Sequence, residues 1–130
     1  MANTEKKLAE LLYPELSYQL MGVLFEVHNK LGTKYQEKHY QRAIETKLKL
    51  LGVSYIREVK TEVTFEGSKI GDFYADFVID GKIVLETKMI LRITADEVKQ
   101  VLRYMDALDL KLAIIANFKY PKLQTKRVVK

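Results

Sequence analysis

The sequence predicts an α/β fold in which a mixed central β-sheet is flanked by helices on both sides. Three observations support this fold class. Two apolar stripes at helical spacing open the chain, alternating strand-like segments follow, and a third helical stripe precedes an almost continuous apolar run at residues 110–118. Such a run is typical of a strand that is buried on both faces of a sheet. The predicted order of elements is α-α-β-β-β-α-β.

Two helices are predicted before the first strand. The first begins at Pro14, since proline is favoured in a first helical turn, and ends at Gly32. The second covers residues 35–51, and Glu37 lies three positions before Tyr40 of its apolar stripe. Glu37 is therefore expected on the inward-facing side of this helix. An acid in a first helical turn also complements the helix dipole, which does not require it to face inward.

The stretch 71–89, GDFYADFVIDGKIVLETKM, predicts a β-hairpin with an Asp-Gly turn at residues 80–81. Alternation places Phe73, Ala75, Phe77 and Ile79 on one face of its first strand, and Tyr74, Asp76 and Val78 on the other. Glu86 and Lys88 share one face of the return strand. If Asp76 points the same way, this surface carries two carboxylates and an ammonium. A hairpin face exposed to solvent carries the same residue types, so both interpretations stay open on this pattern alone.

The third predicted helix covers residues 94–108. Thr94 and Glu97 form the capping-box pattern T-x-x-E at its start. Gln100 and Tyr104 are four residues apart and flank its apolar stripe together. Without further context, they are interpreted as a solvent-exposed glutamine and a boundary tyrosine.

Composition limits the class of protein. The chain has 130 residues, of which 48% are hydrophobic and 30% charged, as expected for one ordinary globular domain. The absence of cysteine excludes disulfides and thiolate chemistry and fits a cytoplasmic location. No secretory signal and no membrane-spanning apolar run is recognised. The net charge of +5 is compatible with a polyanionic partner.

The two ends of the chain and the first strand complete the prediction. Residues 1–13 are expected to form a loose or helical lead-in, and residues 54–66 a strand. The C-terminal tail, residues 119–130, is basic and is expected to add a short edge strand through Val128 and Val129. Basic tails are usually just solvated, and this interpretation is preferred over a tail that clamps DNA.

Several of these motifs together resemble the GxxExxY branch of the PD-(D/E)XK nuclease superfamily. The segment EVHNKLGTKYQEKHYQRAIE is similar to the signature of that branch. The resemblance continues through GDFYADFVIDGKIVLETK to the strand LAIIANF and covers about residues 16–129. The Q-x3-Y pair on the helix after E-x-K also resembles a motif of RecB-like nucleases. One position departs from the pattern, since Lys34 stands where the branch has its first glycine.

The resemblance implies a restriction-endonuclease-like core and metal-dependent hydrolysis of phosphodiester bonds in DNA, with Mg²⁺ or Mn²⁺ as the cofactor. It assigns site residues by position: Asp76, Glu86 and Glu37 to the metal, Lys88 with these acids to catalysis, and Gln100, Tyr104 and Tyr40 to substrate positioning. Hard carboxylate oxygens suit these cations, and the lysine would assist an attacking water. Glu37 would bind the metal directly or act through a water.

Two alternatives come from other functional classes. One is a nuclease-like subunit that binds nucleic acid without cutting it, and the other is a protein-interaction module that keeps only the fold. Intact Asp76, Glu86 and Lys88 argue against a pure binder, because buried acids facing a polyanion do not strengthen binding. A homodimer is expected by analogy with nucleases of this size that cut two strands.

Overall fold

The computed structural model describes residues 12–130. In this part of the chain the helices are α1 (Pro14–Leu31), α2 (Glu37–Leu51) and α3 (Ala95–Leu108). The strands are β1 (Tyr55–Phe65), β2 (Ser68–Ile79), β3 (Ile83–Lys88), β4 (Leu112–Asn117) and β5 (Gln124–Val129). The chain order is as predicted through β4, and β5 is the short edge strand expected in the tail. Most of the predicted lead-in falls outside the described residues.

The five strands form one mixed sheet in the order β1-β2-β3-β4-β5. The first three strands pair antiparallel as a meander. The chain then crosses over through α3, so that β4 pairs parallel to β3, and β5 returns antiparallel to β4. Every residue of β4 is buried, as its apolar run predicted.

Helices cover both faces of this sheet and create two apolar cores. The first, here called the α1–α2 core, joins the apolar stripes of those helices to one sheet face, and its largest members include Leu24, Tyr40, Ile44, Phe77 and Phe118. The second, called the α3 core, includes Ala75, Val84, Val101, Met105 and Ile115. This arrangement matches the restriction-endonuclease-like α/β fold that the sequence predicts. No helix within residues 12–130 is long and apolar enough to cross a membrane.

Local signals set the helix ends. Thr94 caps α3 as predicted, since its hydroxyl accepts from the Asp96 N–H and its own N–H donates to Glu97. The helix α2 begins two residues later than predicted. The Gln36 N–H donates to His39 Nδ1 at 3.1 Å, which makes Gln36 the cap and places Glu37 in the first turn.

The strict alternation predicted for β2 is wrong. Phe73 and Ala75 pack in the α3 core, whereas Phe77 and Ile79 pack in the α1–α2 core. The change of face occurs at Asp76. On the β1 side of Asp76, Glu58 has a left-handed φ of 52°. On the β3 side, within the described residues, the last paired positions of β2 and β3 are Phe77 and Leu85. Asp76 therefore lies where β2 separates from β3.

Candidate active site

The end of β3 presents three polar side chains in a row. Glu86 and Thr87 are buried, and Lys88 is partly exposed. Lys88 Nζ donates to Gln100 of α3, while the Thr87 hydroxyl receives a hydrogen bond from Gln41 of α2. The strand thus directs Lys88 toward α3 and Thr87 toward α2, as alternation within a regular strand requires.

Asp76 and Glu86 are linked to each other through hydrogen bonds to backbone groups. The Asp76 N–H donates to Glu86 Oε1 at 2.7 Å. The Thr87 N–H and hydroxyl both donate to Asp76 Oδ2, at 2.8 and 3.0 Å. These bonds span the opening between β2 and β3, where the ladder ends. The two acids of the predicted site are therefore held side by side at this opening.

The electrostatics of the acid pair are unusual for a sheet surface. Only 2% of Glu86 is exposed. Burial, and then the neighbouring charge of Asp76, raise the pKa of Glu86 to about 9, against the opposing effects of the Asp76 N–H and Lys88. A positive charge placed here in addition to Lys88 would reduce the repulsion between the two carboxylates. The interpretation of this surface as an ordinary solvated face is inconsistent with that burial.

Glu37 lies near this pair but is not part of one tight group with it. Its side chain is partly buried in the first turn of α2, and burial followed by the Asp76 charge raises its pKa. Within residues 12–130, no three His, Cys, Asp or Glu side chains lie close enough together to hold one metal ion. The structure thus brings Asp76 and Glu86 together and leaves Glu37 at the edge of the site.

Gln100 and Tyr104 face the end of β3 rather than open solvent. Gln100 Oε1 accepts from Lys88 Nζ at 2.7 Å, and Gln100 Nε2 donates to the Tyr104 hydroxyl at 3.1 Å. Tyr104 is 2% exposed. Burial, and then the charge of Glu86, raise its pKa, so this hydroxyl stays protonated beside the acids. Both residues of the Q-x3-Y pair thus border the site.

Tyr40 does not reach the site, and its assignment to substrate positioning is corrected. The side chain is fully buried and its ring stacks on Phe118, with 4.7 Å between ring centroids. Its hydroxyl donates to the Gly32 carbonyl oxygen. A residue so enclosed cannot contact a substrate. Tyr40 instead packs the α1–α2 core and ties α2 to the end of α1.

Three further polar residues of the site region were missed at the sequence level. Thr87 is the middle residue of E-x-K, and Gln41 follows Glu37 by four positions, which places it on the same helix side. Buried Asn117 accepts from the Ile90 N–H and donates to its carbonyl oxygen, which holds the loop after Lys88. The helical spacing of Gln41 was a usable signal, whereas Asn117 gave none.

Comparisons with known proteins identify the family. A family model described as the PD-(D/E)XK nuclease superfamily matches residues 14–128, which is most of the chain. Searches of curated proteins and of solved structures returned no match. The matched range contains all the elements that form the acid pair, Lys88 and the Q-x3-Y pair. The chain therefore belongs to the PD-(D/E)XK nuclease superfamily.

Proposed function

We propose that this protein is a nuclease that hydrolyses phosphodiester bonds of DNA with the help of a bound Mg²⁺ or Mn²⁺. One observation carries the proposal: Asp76 and the buried Glu86 are held side by side, with Lys88 at the end of the same strand. A cation and a phosphate group are the partners that such a set of charges favours.

The acid pair fits a hard divalent cation. Mg²⁺ usually keeps several water ligands and takes only one or two protein carboxylates, so a pair without a third close acid is sufficient. Asp76 and Glu86 would hold the cation, and Glu37 would act through a water because it lies outside a common group. When bound, the cation supplies a water of lowered pKa and neutralises negative charge on the phosphate.

The chain's own residues then position the reacting groups. Lys88 would orient the attacking water and stabilise the charge that develops on the phosphate oxygens. Gln100 would hold the Lys88 ammonium in place through its 2.7 Å hydrogen bond. Tyr104 keeps its proton and, because it is buried, would act through Gln100, whose amide it accepts at 3.1 Å.

A positively charged surface next to α3 supports a polyanionic substrate. Two clefts of about 510 and 450 Å³ share Ile93 and Lys126 in their lining. Arg92 lines the first and Lys99 lines the second, one position before Gln100. Phosphate groups of a nucleic acid would be attracted to these cations by a force independent of base sequence.

Several finer predictions belong to this proposal. They are DNA rather than RNA as the substrate, membership of the GxxExxY branch, action of the whole chain as one nuclease-like domain, pairing of two copies, and a cytoplasmic location. The forms of DNA to be tested are linear, circular, single-stranded and branched.

The test is a cleavage panel with Mg²⁺ and with Mn²⁺ on those four forms of DNA and on RNA. Wild-type protein should cut at least one DNA form, and a chelator should stop the reaction. Asp76→Asn should be inactive because an amide does not supply the charge that attracts the cation. Asp72→Asn, on the same strand but exposed and paired with Lys69, is the matched control and should cut normally.

The outcomes separate the three functional classes. DNA binding that weakens with salt but never leads to cleavage would replace the proposal with a binding subunit. Neither binding nor cleavage would favour a protein-interaction module. Equal cleavage by wild type and Asp76→Asn would show that the acid pair is not the active site.

A further inference from the structure

A chain of hydrogen bonds runs from β1 through α2 to the Asp76 carboxylate. Arg57 Nη2 donates to Gln41 Oε1 at 2.7 Å. Gln41 Nε2 donates to Thr87 Oγ1 at 2.8 Å, and Thr87 Oγ1 donates to Asp76 Oδ2 at 3.0 Å. The chain thus connects an arginine on the edge strand to the acid at the sheet opening.

Arg57 fixes the orientation of the Gln41 amide in this chain. A guanidinium group can only donate, so the Gln41 carbonyl oxygen must face it and the Gln41 amide must face Thr87. The Thr87 oxygen then receives a hydrogen bond from Gln41. Asp76 Oδ2 accepts the Thr87 hydroxyl at 3.0 Å, while the Gln41 amide also lies 3.4 Å from Glu37 Oε1, beside the same hydroxyl.

This arrangement treats the two oxygens of Asp76 differently. Oδ2 receives hydrogen bonds from both the N–H and the hydroxyl of Thr87. Neither Thr87 donor reaches Oδ1. Thr87 therefore holds the carboxylate by one oxygen, and the other is available to a cation.

The position of Arg57 includes one feature that destabilises the fold. Its side chain is largely buried, and the guanidinium carbon lies 4.6 Å from the Phe77 ring centroid. The distance from Arg57 Nη1 to Glu45 Oε1 is 3.5 Å. Arg57 Nε is buried without a hydrogen-bond partner, which destabilises a fold. A simple ion pair with Glu45 would not require the short bond to Gln41.

From these contacts we infer that Arg57, Gln41 and Thr87 are positioning residues that orient Asp76 toward the cation. The inference rests on the proposed function, because it assigns the Asp76 carboxylate to a metal. Residues that orient metal ligands typically change metal affinity by about 10- to 100-fold when removed.

The experiment measures Mn²⁺ binding by calorimetry in the absence of substrate. Thr87→Val removes the hydroxyl at nearly constant volume and should weaken Mn²⁺ binding by about tenfold or more. Thr87→Ser keeps the hydroxyl and should restore affinity close to that of the wild type. Gln41→Met should resemble Thr87→Val. Thr46→Val makes the same change on the exposed side of α2, where the hydroxyl donates to the Arg42 carbonyl oxygen, and should leave Mn²⁺ affinity unchanged.

Three outcomes decide the matter. Wild-type protein that binds no Mn²⁺ would overturn the proposed function and, with it, this inference. Wild-type binding with unchanged affinity in a folded Thr87→Val would overturn the positioning role alone. If Thr87→Val does not fold, the comparison moves to Gln41→Met and Thr87→Ser, where equal loss of affinity in both would refute a role for the hydroxyl.

Discussion

The buried carboxyl group of Glu86 links the charge of the site to the stability of the fold. Burial and the Asp76 charge raise the pKa of Glu86 from 4.5 to about 9. Between these pH values the folded protein holds a proton that the unfolded chain has released. This contribution to stability is complete below pH 4.5 and is lost as the pH rises toward 9.

The expected magnitude follows from one proton. A difference of one bound proton changes the free energy of unfolding by about 1.4 kcal/mol per pH unit. Between about pH 5.5 and about pH 8, Glu86 alone would lower the free energy of unfolding by roughly 3 kcal/mol. Glu86→Gln removes this titration and keeps an oxygen that can accept from the Asp76 N–H. The variant should therefore gain stability relative to wild type as the pH rises.

The assay is urea unfolding in the presence of a chelator at several pH values in that range. Asp72→Asn is the control: a hydrogen bond from Lys69 lowers the pKa of exposed Asp72 below 3.8, so its contribution to stability is already complete in this pH range. Wild type and Asp72→Asn should lose stability in parallel, while Glu86→Gln should not. Equal slopes for wild type and Glu86→Gln would refute the account of the buried acid.

Other predictions concern the lysine, the basic clefts and the buried asparagine. Lys88→Ala should reduce cleavage by about two or more orders of magnitude with little change in DNA binding; undiminished cleavage would remove Lys88 from the mechanism. Replacing Arg92, Lys99 and Lys126 by alanine should lower the salt slope of DNA binding, measured by fluorescence anisotropy, by about 2.7; an unchanged slope would place the DNA elsewhere. Asn117→Ala leaves buried backbone groups unpaired and should cost roughly 1–3 kcal/mol in urea unfolding; an unchanged midpoint would contradict this.

Most of the fold could be predicted because its elements follow simple periods. The stripes of α1 and α3 and the apolar run of β4 depend on burial of one or both faces, which a sequence shows directly. Proline, glycine and capping residues marked the ends of the helices. The start of α2 was misplaced because His39 caps Gln36 from inside the helix, a pattern with no Ser, Thr, Asp or Asn at the cap.

The site was predicted only in part, because spacing reports which side of an element a residue takes but not how far it reaches. Alternation along β3 placed Glu86 and Lys88 on one strand face, and helical spacing placed Gln100 and Tyr104 on one helix side. These patterns were sufficient to predict that the side chains lie together. The same reasoning put Tyr40 beside Glu37. It could not show that Tyr40 ends in the core against Phe118, since both outcomes lie on the inward side of α2.

The failure of alternation at Asp76 has its cause in the site itself. Continuing the β2–β3 register would put Asp76 and Thr87 in successive residue pairs, and in a regular antiparallel ladder only one of two successive pairs is hydrogen-bonded across the gap. Because β2 separates from β3 here, the Asp76 N–H is free to bind the Glu86 carboxylate and the Thr87 N–H to bind Asp76. The two carboxylates thus accept backbone N–H groups where the pairing of β2 with β3 ends, and these same bonds orient the carboxylates. A sequence argument that assumes regular strands must therefore be wrong at this position, and an acid pair held in this way requires the irregularity.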